Sequence, residues 1–297
     1  MGTANGSNGH TNGVNHLFDD AFPESRLPLD KMVAVVTGAA RGIGISTCIE
    51  LVRKGVRAIG AVDMAPELVN SCKEINDRLG REVMLPFTGD VTNSDFRRSV
   101  FADLKQRFGG VQICVPAAGI TRDYLAVRMN KETRKAELYK EEDFRRVIDI
   151  DLTAPIYWAM ETIASVAEQR AAQGKGKWEP SEGVQGVVVF IGSVSSAGNK
   201  GQISYATAKA GLEGAQATLA SEGVFHGVRS AIIHPGYTDT PMVRALGEEF
   251  INANIIPQTT MRRLIQPAEI AHAITFLIQN SAVSGQLWVD AGWRPRS

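Results

Sequence analysis

Met32-Val33-Ala34-Val35-Val36-Thr37-Gly38-Ala39-Ala40-Arg41-Gly42-Ile43-Gly44 decides how this chain folds. The first five residues are an unbroken apolar run, which reads as a strand covered on both faces. Three glycines follow at once, and then a helical segment extends to about Lys54. Strand, glycine-rich turn and helix in that order put unpaired helix N–H groups beside a backbone that a ligand can approach closely. Such a turn suits the pyrophosphate of a dinucleotide. Gly38, Gly42 and Gly44 are its candidate contacts, with Arg41 and Ile43 between them.

The pattern repeats outward. Ala58 to Val62 is a second buried strand and ends at Asp63. A carboxylate there accepts hydrogen bonds from the adenosine ribose hydroxyls and repels a 2′-phosphate, so NAD is favoured. The Arg41 guanidinium leaves NADP open. Pro66 to Leu79 reads as a helix, Val83 to Phe87 as a strand before Gly89-Asp90-Val91-Thr92, and Asp95 to Phe108 as a helix. Val111 to Val115 is a fourth strand, running into Pro116-Ala117-Ala118-Gly119. Four alternations imply an α/β domain, a doubly wound parallel sheet with helices on both faces and right-handed crossovers.

Thr121 to Lys140 is charged and irregular, with a hairpin turn at Asn130-Lys131-Glu132-Thr133. Glu141 to about Ala172 reads as one long helix holding Asp151, and Gln173 to Gln185 as a polar loop. Gly186 to Ile191 is a fifth strand ending at Gly192-Ser193-Val194-Ser195-Ser196. Val228 to Ile233 is a sixth, leading to His234-Pro235-Gly236-Tyr237-Thr238-Asp239-Thr240-Pro241-Met242. A mobile substrate cap is expected over about 241–262, with an apolar face of Met242, Val243, Leu246, Phe250 and Ile255. Pro267 to Gln279 is helical, and Gly285 to Asp290 is a last strand. Residues 1–28 read as a disordered Gly- and Asn-rich tail, and 29–297 as one domain.

Composition narrows the function. Of 297 residues 44% are hydrophobic, enough for a substantial core. Lys plus Arg and Asp plus Glu are 32 each, so nothing marks a nucleic-acid binder. No apolar run is long enough to span a membrane. Three scattered cysteines and five scattered histidines give no metal-ligand spacing and no disulfide framework. A cytoplasmic location is expected.

Between the fifth and sixth strands lies Ser204-Tyr205-Ala206-Thr207-Ala208-Lys209. On a helix, residues four apart share a face, so phenol and ammonium project side by side. A neighbouring cation favours the phenolate and lowers the Tyr205 pKa, making the pair a proton donor and acceptor for alcohol/ketone chemistry.

Taken together these residues resemble the short-chain dehydrogenase/reductases of the classical type, over about Leu29 to Gly292. The resemblance rests on Thr37-Gly38-x-x-x-Gly42-x-Gly44, Asp90-Val91, Ala118-Gly119, Ser193, Tyr205-x-x-x-Lys209, Pro235-Gly236-x-x-x-Thr240 and Gly285-Gln286…Val289-Asp290. It implies a single Rossmann-type domain with a seven-stranded parallel sheet, assembled as a homotetramer or homodimer, acting on a small-molecule alcohol or ketone. It also implies roles. Tyr205 is the general acid/base, and Lys209 its pKa-lowering partner and a ligand of the nicotinamide ribose. Ser193 orients the substrate oxygen, with Ser195 a close rival. Asp90 and Val91 bracket the adenine. Ala118 and Gly119 border the cofactor, and Pro235, Gly236, Thr238 and Thr240 contact the nicotinamide.

Two stretches depart from the family pattern. Pro116-Ala117 stand where Asn-Asn is usual, and Pro116 removes a backbone donor. Asp151 stands where the family carries an Asn thought to hold a water that connects Lys209 to solvent. The carboxylate loses the amide donor and adds charge, which favours the ammonium and opposes the phenolate. Altered proton relay is therefore expected, with Asp151 counted among the catalytic candidates. Two alternatives stay open: non-redox chemistry in the same pocket (dehydration, epimerisation or cyclisation), and dinucleotide binding with weakened catalysis.

Overall fold

A computed structural model describes residues 27–293 of the chain. The expected disordered tail lies outside them apart from Leu27 and Pro28, and Leu27 is already buried beside Leu29.

Seven parallel strands form one sheet: β1 Val33–Thr37, β2 Ala58–Asp63, β3 Met84–Thr88, β4 Ile113–Pro116, β7 Gly186–Ile191, β8 Val228–Pro235 and β9 Gln286–Val289. Strands β5 (Val127–Met129) and β6 (Ala136–Leu138) make a separate antiparallel hairpin around the expected turn at Asn130. There Asn130 Oδ1 accepts from the Glu132 and Thr133 N–H groups, both at 2.9 Å. The main sheet runs β3-β2-β1-β4-β7-β8-β9. The strand order reverses between β1 and β4, which opens a crevice at their carboxyl ends.

Among the described residues seven helices of eight residues or more connect the strands: α1 Gly42–Arg53, α2 Glu67–Leu79, α3 Ser94–Phe108, α4 Glu141–Ile148, α5 Ala154–Ala172, α6 Ile203–Gly223 and α7 Pro267–Gln279. Alternate residues of a strand face opposite sides, and β1 divides its apolar run accordingly. Ala34 and Val36 pack with Cys48 of α1, Leu68 of α2 and Ile270 of α7. Val33 and Val35 pack with Leu104 of α3, Trp158 of α5 and Leu212 of α6. Trp158 is fully buried, and its Nε1 donates to the Val91 carbonyl at 3.0 Å. Truncating such a side chain to Ala costs about 3–5 kcal/mol.

The long helix expected from Glu141 to Ala172 is broken into two. A π turn, Asp149–Thr153, separates α4 from α5, and the Ala154 N–H bonds to the Asp149 carbonyl, five residues back. Pro155 explains the break, because it has no N–H to give the Asp151 carbonyl, its ordinary helical partner. Pro116 also leaves a mark. The β1–β4 register continues to Thr37↔Pro116, but the β4–β7 ladder stops at Cys114↔Val188. A missing donor ends a ladder on the side it would have faced.

Candidate active site

Two of the glycines make the first wall of the crevice. Gly38 has φ 66°, and a Cβ there would lie 2.8 Å from the Ala118 nitrogen. A Cβ on Gly44 would overlap the Gly38 carbonyl oxygen. Bare backbone is therefore required, and it exposes the N-terminal N–H groups of α1 to a phosphate. The residues present suit a dinucleotide. Gly42 and Ile43 open α1, and Arg41 is exposed and makes no ion pair among the described residues. Asp63 ends β2 with its carboxylate turned to this turn: Oδ2 accepts from Ala40 N–H and Oδ1 from Ala65 N–H, each at 3.0 Å.

Other predicted residues line the same edge. Asp90 Oδ1 accepts from the Thr92 N–H at 2.9 Å, and Val91 is buried beside it. Ala118 N–H donates to Thr37 Oγ1 at 3.1 Å. Pro235 closes β8, and Gly236, Thr238 and Thr240 follow. A Cβ on Gly42 would lie 3.2 Å from Thr240 Cγ2, so this loop borders the glycine turn. Thr238 Oγ1 donates to the Gly236 carbonyl at 3.0 Å.

The candidate reactive groups stand at the carboxyl end of β7. Ser193 caps a 3-10 turn, Val194–Ala197, and its Oγ accepts from Ser195 N–H at 3.0 Å. Ser193 Oγ has only this backbone contact among the described residues and lines the cleft with Tyr205, whereas the Ser195 hydroxyl is spent on Gln202 Oε1 at 2.9 Å. Geometry thus separates the two serines that the sequence left as rivals. Lys209 Nζ lies 5.3 Å from the centre of the Tyr205 ring.

Asp151 completes the cluster. It is fully buried, its Oδ1 accepts from Ile120 N–H at 2.9 Å, and its Oδ2 is 3.3 Å from Lys209 Nζ. The π turn aims it there, and Gly119 leaves it room: a Cβ at 119 would sit 2.8 Å from Asp151 Oδ2. Burial pushes the Asp151 carboxyl up, with Lys209 and the Ile120 N–H pulling it back. Burial works most strongly against the Lys209 ammonium, yet Asp151 and Tyr205 together offset it and Lys209 stays above its ordinary value. Burial also pushes the half-buried Tyr205 phenol up; Lys209 pulls down, and Asp151 pushes up again. Lys209 acts in the expected direction but does not set the net shift.

A cleft opens over Tyr205. Its lining includes Ile43, Ser193 and Thr238 on the sheet side and Met242, Val243 and Leu246 from the cap. The cap is a chain of short helical turns that packs Ile251 and Ile255 against Leu264. Phe250 is exposed, so the apolar stripe expected along the cap divides between core, cleft and solvent. Asp123 and Gln202 also line the cleft and were not singled out from the sequence. Asp123 lies four residues past Gly119, in the segment that follows the carboxyl end of β4, and that position is the signal available.

A doubly wound sheet with a glycine cradle at its switch point and a serine, tyrosine and lysine gathered at one strand end defines a class of dinucleotide-handling folds. The short chain dehydrogenase family model matches residues 32–250, and the chain belongs to that family. It is 33% identical over 267 residues to the 3-oxoacyl-[acyl-carrier-protein] reductase FabG of Escherichia coli (strain K12), covering 88% of this chain and 96% of that protein. It is 31% identical to the Homo sapiens 3-hydroxyacyl-CoA dehydrogenase type-2, over 86% of this chain and 92% of the relative. Among solved structures, gox2181 superposes with a TM-score of 0.73 at 27% identity, over 91% of this chain and 97% of the other. A putative gluconate dehydrogenase from Agrobacterium tumefaciens gives 0.72 at 27% identity, over 89% and 96%. The chain is accordingly an enzyme of the oxidoreductase class. Among the described residues no helix is long and apolar enough to cross a membrane.

Proposed function

We propose that the protein interconverts a secondary alcohol and a ketone, using NAD in preference to NADP. The observation that carries this reading is the approach of Lys209 Nζ to within 5.3 Å of the Tyr205 ring centre, with Ser193 lining the same cleft as that tyrosine. A bound nicotinamide supplies or accepts the hydride at the carbon. In reduction, Tyr205 gives its hydroxyl proton to the carbonyl oxygen; in oxidation, its phenolate takes the proton of the alcohol. Ser193 Oγ donates a hydrogen bond to that oxygen and steadies the developing alkoxide. Lys209 holds positive charge beside the phenolate. Gly38, Arg41, Gly42, Ile43 and Gly44 would hold the pyrophosphate, Asp63 the ribose hydroxyls, and Asp90 and Val91 the adenine. Ala118, Gly119, Pro235, Gly236, Thr238 and Thr240 would border the nicotinamide half, with Tyr205 and Lys209 on its ribose side.

NAD preference is supported by Asp63, whose two carboxylate oxygens are fixed by backbone N–H groups where a 2′-phosphate would meet them. A homodimer or homotetramer in the cytoplasm accords with the family and with three buried, unbridged cysteines. The Asp151–Lys209 pair supports a second reading, dinucleotide binding with weakened turnover, because it opposes the phenolate. A panel of alcohols and ketones with NAD(H) and NADP(H), followed at the nicotinamide absorbance, tests both. Turnover with NAD(H) ahead of NADP(H) is expected. Dinucleotide binding with no turnover on any member contradicts the first reading.

A further inference from the structure

The cleft beside Tyr205 carries one acidic side chain among its described lining residues, Asp123, and no lysine or arginine. Asp123 stands at the mouth, and a chain of hydrogen bonds fixes it. Gln202 Nε2 donates to Asp123 Oδ2 at 2.9 Å. Gln202 Oε1 accepts from Ser195 Oγ at 2.9 Å and from Asn199 Nδ2 at 3.0 Å. The opposite amide orientation would set an oxygen against the carboxylate and two donors against each other, so only one arrangement satisfies every group. Tyr237 also lines the cleft.

The backbone is pinned as well. Tyr124 N–H donates to the Gly201 carbonyl at 2.8 Å, and Tyr124 bridges Gln202 in parallel. Gln202 immediately precedes α6, the helix that carries Tyr205. Asp123 is therefore held in register with the proposed acid/base. Its Oδ1 makes no hydrogen bond among the described residues, and an ionised carboxylate can only accept. The apolar cap side chains Met242, Val243 and Leu246 line the same cleft.

We infer that Asp123 is a specificity residue that reads a hydrogen-bond donor on the substrate, so that the enzyme prefers a neutral hydroxyketone or diol and rejects carboxylates. This rests on the alcohol/ketone reading above. An acceptor oxygen at a fixed place rewards a hydroxyl. It leaves an ether oxygen facing lone pairs, and it repels an anion that no basic group in the lining offsets.

The test compares three ketones of equal length: a hydroxyketone, its methyl ether and the corresponding keto acid. Reduction is followed at the nicotinamide absorbance in the parent and in Asp123→Asn. The asparagine keeps an oxygen for Gln202 and turns an N–H₂ donor toward the cleft. In the parent the hydroxyketone should lead the ether by about tenfold or more in kcat/KM, with the keto acid poorest. In Asp123→Asn the lead should fall below about threefold and the keto acid should gain about tenfold. A purely structural role would lower all three together and leave their ratios intact. Dinucleotide affinity in the variant reports its folding. A parent that reduces ether and hydroxyketone equally overturns the inference without any variant, as do ratios that Asp123→Asn leaves unchanged. Dinucleotide binding without turnover of any ketone overturns the alcohol/ketone reading, and this inference with it.

Discussion

Lys209 Nζ lies 3.3 Å from Asp151 Oδ2, and neither side chain is more than 4% exposed. In water such a pair contributes little. Here it fixes the charge state of the lysine beside the proposed acid/base, and it has a direct consequence for pH dependence. Asp151 pushes the Tyr205 phenol up, so removing its charge lets the phenol ionise at lower pH. Asp151→Asn should therefore move the alkaline rise of alcohol oxidation to lower pH. In ketone reduction, where Tyr205 must be protonated, activity should decline from a lower pH than in the parent. Profiles of kcat against pH in both directions check this. Coincident profiles would show that Asp151 has no part in the relay.

The glycine cradle makes a steric prediction. Gly44→Ala places a methyl against the Gly38 carbonyl oxygen, and neither backbone can yield without opening the turn. Dinucleotide affinity should fall by at least about tenfold, equivalent to about 1.4 kcal/mol. Titration of the protein's fluorescence with NADH reads the loss. Unchanged affinity would remove the turn from the binding site.

Asp63 makes an electrostatic one. Asp63→Asn keeps the residue's shape but removes the charge that a 2′-phosphate would meet. The ratio of kcat/KM for NAD to that for NADP should fall by about tenfold or more, mainly through a better KM for NADP. A ratio that stays put would assign the preference to another residue.

Far from the cleft, Arg170 is buried and forks onto Glu182 at 2.9 Å from each of two nitrogens. The Arg170 hydrogen bonds, with those from Glu179 N–H and Lys175, hold the Glu182 carboxyl down at about 2. A carboxyl lowered on folding stabilises above its unfolded value and loses that contribution as pH falls toward the folded one. Glu182→Gln should thus lower Tm at neutral pH by leaving a buried guanidinium unpaired. The difference from the parent should narrow between about pH 4.5 and 2. Thermal melts across that range decide it; a difference that does not change with pH would show that the pair carries no such linkage.

Most of the frame could be read from residue patterns, because period and punctuation are local. The apolar run at Met32–Val36, the glycines after it and the repeated strand–helix spacing specify a parallel sheet, and Asn130 announces its hairpin. The π turn at Asp149–Thr153 is not legible in the periodicity, although Pro155 signals it. The surrounding helical propensity is strong, and the proline's effect falls four residues upstream, on the Asp151 carbonyl. The cleft network is not legible for another reason. Gln202 and Asp123 are 79 residues apart, and their meeting depends on how two loops dock, which no periodicity encodes. The net rise of the Tyr205 phenol was also hidden. Spacing on a helix reveals the neighbouring cation but not the burial that outweighs it.

In the proposed reaction Tyr205 carries the proton in hydride exchange at a substrate carbonyl. Tyr205→Phe keeps the ring packed against Lys209 and deletes only the hydroxyl. With a ketone that the parent reduces, kcat should fall by about 10²–10⁴-fold, while NADH affinity stays within about twofold of the parent's. A variant that retains the parent's kcat would contradict the account.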